Sequence, residues 1–243
     1  RGHSDTETLL AALRHWGIQG ALERLNGMFA FALWDAVERQ LFLARDRMGE
    51  KPLYYGRSGD TFLFGSELKA LAAHPDWQGE VDRDALALYM RHNTVPAPWS
   101  IYKGIAKLPP AHYVVIGEGG RAVGEPHCYW DLGQVAEQGM ANAGGEPEAL
   151  TDELDVLLRD AVGRRMAADV PLGTFLSGGY DSTTVAAVMQ AQSERPVKTF
   201  SIGSHTGSYN EAQHAKAVAE HLGTDHTELY VTSDDAMAVI PKL

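Results

Sequence analysis

The chain has 243 residues, 44% of them hydrophobic and 22% charged, an ordinary globular composition that argues against disorder. Its 21 Lys and Arg against 32 Asp and Glu leave a formal charge of −11, so no broad basic nucleic-acid surface is expected. The longest apolar run, Met28 to Trp34, is seven residues against the roughly 18 of a membrane span. No charged-then-apolar leader opens the chain. A single cysteine, Cys128, leaves no internal disulfide framework and no cysteine-based zinc cluster. With Arg1 first and a new helix expected to start near Pro241-Lys242-Leu243, the sequence reads as a soluble, intracellular piece of a larger protein.

Ser4-Asp5-Thr6-Glu7 predicts a capping box, with Leu9, Leu10 and Leu13 lining one face of the helix that follows. Phe29 to Trp34 and Gln40 to Ala44 are strand-like runs joined by a turn, and Thr61 to Phe64 is a further strand. Ser66 to Leu71 has helical spacing, and Asp82 can cap a helix carrying Ala85, Leu86, Tyr89 and Met90. Asn93 to Trp99 reads as a loop, and strand signals return at His112 to Ile116. The expectation is an antiparallel sheet with helices beside it.

Between Asp131 and Glu148 the chain turns small and polar, which marks a candidate linker. Thr151 then opens a helix with Leu154, Leu157, Leu158, Ala161 and Val162 on one side. Val170 to Leu176 predicts a strand, Ser182 to Gln192 a helix with Val185, Val188 and Met189 inward, and Val197 to Ile202 a second strand. Asn210 to Gln213 offers an N-cap and its reciprocal partner, Gly223 a left-handed stop, and Thr227 to Val231 a third strand. That alternation predicts a parallel sheet with right-handed crossovers.

Ser177-Gly178-Gly179-Tyr180-Asp181-Ser182 sits where the first of these strands turns into its helix. Two glycines let the backbone curl and approach a ligand, and the amides of the turn and helix start converge into a phosphate-binding nest. Ser177, Ser182 and Thr183 add hydroxyl donors, while Asp181 would repel phosphate unless Mg²⁺ lay between them. The sequence is neither a Walker loop nor a dinucleotide loop. A plain glycine turn with a serine cap is the alternative, but five fixed positions match by chance only about once in 10⁶ windows at average residue usage.

These residues resemble the pyrophosphate-binding loop of the N-type ATP pyrophosphatases. The surroundings narrow the resemblance to the glutamine-hydrolysing asparagine synthetase family: Asp169-Val170-Pro171-Leu172-Gly173, Lys198 to Gly203 and Ala219 to His226 on one side, Leu25 to Phe31, Ala44 to Tyr55 and Gly65 to Leu71 on the other. The resemblance implies a mixed α/β and α+β chain. A partial N-terminal-nucleophile α/β-sandwich glutaminase domain with its linker would span 1–147, and the first part of a Rossmann-like parallel-sheet ATP pyrophosphatase domain 148–243. It implies ATP-dependent adenylation of the aspartate side chain, release of pyrophosphate, and displacement of AMP by ammonia from glutamine.

Residue by residue, Asp5 matches the aspartate that holds the α-amino group of glutamine. Ser177, Gly178, Gly179 and Ser182 match pyrophosphate contacts, and Asp181 the Mg²⁺-linked carboxylate. Phe175 and Ile202 match positions whose backbones bracket adenine, with an apolar core role as the other reading. Implied partners are glutamine, aspartate and ATP in the cytoplasm, with no nucleic acid, no membrane and a homodimer as an option.

The chain also departs from the family pattern. The family's nucleophile, a cysteine at the amino terminus, is expected upstream, so no catalytic residue is assigned here and complete turnover is not expected of the chain. Cys128 is read as a small packed residue. Tyr180 stands where an aliphatic residue is usual. His214 and His221 read as solvated helix positions, and Arg45-Asp46-Arg47 as buried ion pairing rather than a substrate clamp. A β-lactam synthetase, a polysaccharide amidotransferase, or a non-catalytic ATP-binding module are the competing assignments.

Overall fold

A computed structural model describes residues 4–205 and 210–242, and the chain divides between Asn142 and Ala143 into two compact units. In the first unit, Ser4 starts α1 (Asp5–Leu22). Its Oγ accepts from the Thr6 amide at 3.1 Å, one residue short of the Glu7 amide that the expected box would use. The helix breaks at Gly17, whose φ of 68° and ψ of 178° suit glycine alone. Beyond the break Ala21 and Leu22 are fully buried, whereas Leu10, expected inward with Leu13, is exposed.

The hairpin forms as expected from β1 (Ala30–Asp35) and β2 (Gln40–Arg45), with Asp35 opposite Gln40. The Asp35 carboxylate accepts from the amides of Val37 and Glu38 at 2.8 and 3.0 Å and so shapes the turn. With β6 (His112–Ile116) and β7 (His127–Cys128) they make an antiparallel sheet ordered β1-β2-β6-β7. A second antiparallel sheet, β4-β3-β5, contains β3 (Tyr54–Ser58), β4 (Thr61–Gly65) and β5 (Ile105–Lys107). Neither β3 nor β5 is foreseen from the sequence. Gly56 interrupts the pattern of β3 because a Cβ there would lie 1.9 Å from the Gly104 carbonyl oxygen.

The period of two along β2 organises the layers. Leu43 joins Val114, Ile116, Leu53, Tyr55 and Leu108 in a core fed by both sheets. Its neighbour Ala44 points the other way, into a cluster with Leu22 of α1, Ala111 and Tyr129. On the far side of the second sheet, Leu63 and Ile105 pack with Leu71 of α2 (Leu68–Ala72). The order is helix, sheet, sheet, helix. Asp82 caps α3 (Arg83–His92) through the amides of Asp84 and Ala85, and of Ala85, Leu86, Tyr89 and Met90 only Ala85 is buried. The expected linker is partly helical, since Asp131 accepts from the Gln134 amide at 2.9 Å and starts α4 (Leu132–Ala141).

In the second unit, α5 (Pro147–Arg165) begins ahead of Thr151 with proline in its first turn, and Leu154 and Leu157 on it are exposed. Then follow β8 (Gly173–Phe175), α6 (Tyr180–Ala191), β9 (Lys198–Ser204), α7 (Ala212–Leu222), β10 (Asp225–Val231) and α8 (Ser233–Val239). The strands are parallel in the order β10-β9-β8. The first strand is shorter than expected, since only Gly173, Thr174 and Phe175 pair with β9; Val170, Leu172 and Val185 of α6 are exposed. Asn210 Oδ1 accepts from the Ala212 amide at 3.2 Å in place of the expected box, and Gly223 ends α7 with φ of 71°. Leu176, Ala186, Ala215 and Ala219 form the core beneath the sheet. No helix among the described residues is long and apolar enough to cross a membrane.

Asp46, 1% exposed, joins the loops of the first unit. Its Oδ2 accepts from the amides of Phe29 and Lys51 at 3.2 and 2.9 Å, and its Oδ1 from Glu50 at 2.9 Å. Replacing Asp46 by Ala strips the acceptor from these amides and is expected to cost roughly 3 kcal/mol. A urea midpoint unchanged from the parent chain would contradict this.

Candidate functional site

The phosphate-type loop lies at the carboxyl end of β8, where open α/β sheets receive ligands. The preceding Leu176 is pinned on both sides: its amide donates to Phe200 O at 2.9 Å and its carbonyl accepts from Ser201 Oγ at 2.6 Å. Ser177 Oγ and Ser182 Oγ are 2.8 Å apart, and the Ser177 amide donates to Ser182 Oγ at 3.2 Å, closing the loop on itself. Gly178 takes φ of 79°, and a Cβ there would stand 2.8 Å from His214 Cβ and 2.9 Å from the Ala215 amide nitrogen, so the loop is seated directly on α7. Gly179 is the N-cap of α6, leaving the first-turn amides of Tyr180, Asp181 and Ser182 without intrahelical acceptors.

Thr183 Oγ1 is buried without a hydrogen-bond partner just inside that turn. Free first-turn amides, two neighbouring hydroxyls and an orphaned one suit a polyanion, so the donor set fits a nucleotide phosphate chain. Asp181 and Tyr180 are exposed on the same turn. Phe175 and Ile202 are 76% and 61% exposed, which overturns the apolar core reading for both. Along β9 the buried residues are Thr199, Ser201 and Gly203, so Phe200 and Ile202 belong to the opposite, open face, and Phe175 pairs with Phe200.

In the first unit, Asp5 lines a cavity of about 570 Å³ together with Thr8, Phe29, Phe31, Lys51 and Ser66. Its Oδ1 accepts from the Thr6 amide at 2.7 Å, at the positive end of α1, where a carboxylate is stabilised. Lys51 and Ser66 were not foreseen as lining residues. The only trace of them in sequence is a cation and a hydroxyl inside motifs already noted, and folding brings them to Asp5.

Arg45-Asp46-Arg47 is neither a substrate clamp nor an ion-pair cluster. Arg45 donates to the carbonyls of Lys51, Leu108 and Gly49 at 2.8, 2.7 and 2.6 Å, and Arg47 to Glu23 O at 2.8 Å, while Asp46 takes backbone amides. Burial lowers the pKa of the Arg45 guanidinium, and neighbouring Asp46 opposes that shift. Burial raises the pKa of the Tyr129 phenol, whose hydroxyl donates to Arg45 O at 2.7 Å. Cys128 is exposed rather than packed, with Sγ donating to Trp130 O at 3.2 Å, because β7 is an outermost strand of its sheet. His214 and His221 are both exposed.

Residues 1–130 match the family model of the glutamine amidotransferase domain, and residues 153–243 that of asparagine synthase. The chain belongs to the glutamine-hydrolysing asparagine synthetase family, its amino-terminal part being a glutamine amidotransferase domain. It is 35% identical over 262 residues to asparagine synthetase [glutamine-hydrolyzing] 3 of Bacillus subtilis, covering 97% of this chain and 40% of the relative. Asparagine synthetase [glutamine-hydrolyzing] 1 of the same organism is 33% identical over 240 residues, covering 99% and 36%. Amidase chry2 of Gibberella zeae is 34% identical over 196 residues, covering 77% and 27%. The chain thus spans less than half the length of these curated relatives.

Placing a methyl at Gly178 forces its side chain against the α7 backbone in a left-handed conformation. Gly178→Ala is expected to lose roughly 1–3 kcal/mol of stability, with any binding of a phosphate-bearing ligand at the loop weakened at least tenfold in calorimetry. Parental affinity in this variant would show that the seat on α7 is dispensable.

Proposed function

We propose that the protein carrying this chain makes asparagine from aspartate, ATP and glutamine, with residues 1–147 as its glutaminase part and 148–243 as the start of its ATP pyrophosphatase part. The observation that carries this reading is the closed Ser177–Ser182 loop at a strand-to-helix junction, with free first-turn amides and Gly178 seated on α7. The helix–sheet–sheet–helix layering supports an N-terminal-nucleophile sandwich for the first part, and the parallel β10-β9-β8 order a Rossmann-like second part.

On this reading Ser177, Gly178, Gly179 and Ser182 hold the β- and γ-phosphates of ATP, and the backbones of Phe175 and Ile202 bracket the adenine. An aspartate carboxylate oxygen bonds to the α-phosphorus while the α–β bridge breaks, so pyrophosphate leaves into the nest of amides and hydroxyls. The lone pair of ammonia then attacks the activated carbonyl carbon, and AMP departs with the former carboxylate oxygen. Asp181 would hold Mg²⁺, which when bound supplies charge neutralisation between that carboxylate and the phosphates. Asp5 receives the α-ammonium of glutamine by charge pairing. On this reading the small-molecule substrates are those of a cytoplasmic enzyme.

Two measurements test this. Calorimetry on the chain should show ATP–Mg²⁺ binding that falls roughly tenfold in Ser182→Ala, the worth of about one hydrogen bond to a charged group; absent binding refutes the nucleotide site. A protein carrying this chain and the further length found in its relatives should release pyrophosphate only when aspartate, ATP and Mg²⁺ are all present. Release with another carboxylate instead of aspartate would transfer the assignment to a related amide-forming ligase.

A further inference from the structure

The first unit holds another cavity, of about 480 Å³, which shares no lining residue with the Asp5 cavity and which the reaction above does not use. Its size falls within the range of small-molecule sites. Tyr54 of β3, Leu86 and Tyr89 of α3, Asn93, Ile101 and Lys107 of β5 supply its wall.

Lys107 is half-buried there, and its environment is unusual for an ammonium group. Its Nζ donates to the carbonyl of Val95 and stands 5.8 Å from the centroid of the Tyr54 ring. Among the described residues no carboxylate lies within ion-pair distance of it. An ammonium carries three donors, so the Val95 carbonyl leaves others unused.

The nearby Arg45 makes the surroundings more positive, and burial and Arg45 both lower the pKa of Lys107. Arg45 does not line the cavity, and its Nε, Nη1 and Nη2 each donate to a backbone carbonyl, so it adds positive charge nearby rather than a contact. A half-buried cation with spare donors, a positive neighbour and no acid nearby is relieved by an anion brought from outside. The rest of the wall sets the apolar Tyr54, Leu68, Leu86, Tyr89 and Ile101 beside the polar Asn93, Thr94 and Ser100, and its apolar part suits an anion with an apolar body.

We propose that this cavity binds a small organic anion, its carboxylate seated on Lys107 and its apolar or aromatic body against Tyr54, Leu86 and Tyr89. The site stands independently of the asparagine-forming reading. Leu86 and Tyr89 are 41% and 48% exposed, which puts the mouth of the cavity on the outer side of α3, open to solvent. A charge-assisted hydrogen bond from Lys107 supplies the selectivity, and the aromatic wall supplies the apolar contact.

The test is calorimetric titration of the full 243-residue chain with indole-3-acetate and with its uncharged analogue indole-3-acetamide. The acetate is expected to bind at least tenfold more tightly than the amide. Lys107→Met, which keeps the apolar stem, should abolish that preference, and Lys107→Arg should retain it. Leu86→Trp, at an exposed position that fills the mouth, should weaken both ligands at least tenfold. Equal affinity for the two probes, no binding of either, or a preference that survives Lys107→Met in a chain with parental circular dichroism would overturn the proposal. If Lys107→Met does not fold, Leu86→Trp decides, and unchanged acetate affinity in that variant overturns it.

Discussion

One buried carboxylate organises the first unit. Asp46 collects the amides of Phe29, Glu50 and Lys51 through its side chain. Through its own backbone it also bonds Phe29 O at 2.9 Å and accepts from Gly49 and Ala111 at 3.1 and 2.9 Å. A charge this deep is tolerated only because main-chain dipoles replace the water it loses. The consequence reaches the proposed glutamine site, since Phe29 and Lys51 both line the cavity that holds Asp5. The floor of that cavity is therefore held by the same bonds that hold the fold.

The second unit applies the same logic with neutral groups. Ser201 and Phe200 fix both polar atoms of Leu176, the serine pair closes the loop, and Gly178 admits the α7 backbone against it. These bonds are all internal to the protein, so they preorganise the donors. Preorganised donors lose little entropy on meeting a charged ligand, which is how a short loop can bind an anion tightly.

Two basic side chains that sit near each other show how satisfaction, rather than charge, separates structure from binding. Arg45 donates from each of its three guanidinium nitrogens to a backbone carbonyl and serves as a brace between loops. Lys107 meets one carbonyl and a tyrosine ring beside an open cavity. The planar guanidinium suits several fixed acceptors at once, whereas the ammonium keeps donors free.

Much of this protein is legible in its residues alone. The β1–β2 hairpin, the caps at Asp82 and Gly223 and the serine–glycine loop rest on neighbours close in sequence, and the strand–helix alternation of the second unit implies its parallel pairing. The family motifs add the assignment of Asp5 and of the loop residues. What the sequence does not carry is set by distant partners. Arg45, Asp46 and Arg47 look like an ion-pair cluster until the loops arrive with their carbonyls and amides. Cys128 looks packed until β7 proves to be an outermost strand, and Phe175 and Ile202 look like core until the sheet presents that face to solvent. Helix α4 carries Leu132, Val135, Ala136 and Met140 at helical spacing, a signal outweighed by the small and polar residues around it, and none of its residues is buried. Local chemistry determined which residues could bind phosphate. Tertiary packing decided which of the charged and apolar ones were left free to meet a ligand, because only a folded chain settles which donors and faces its own backbone has already taken.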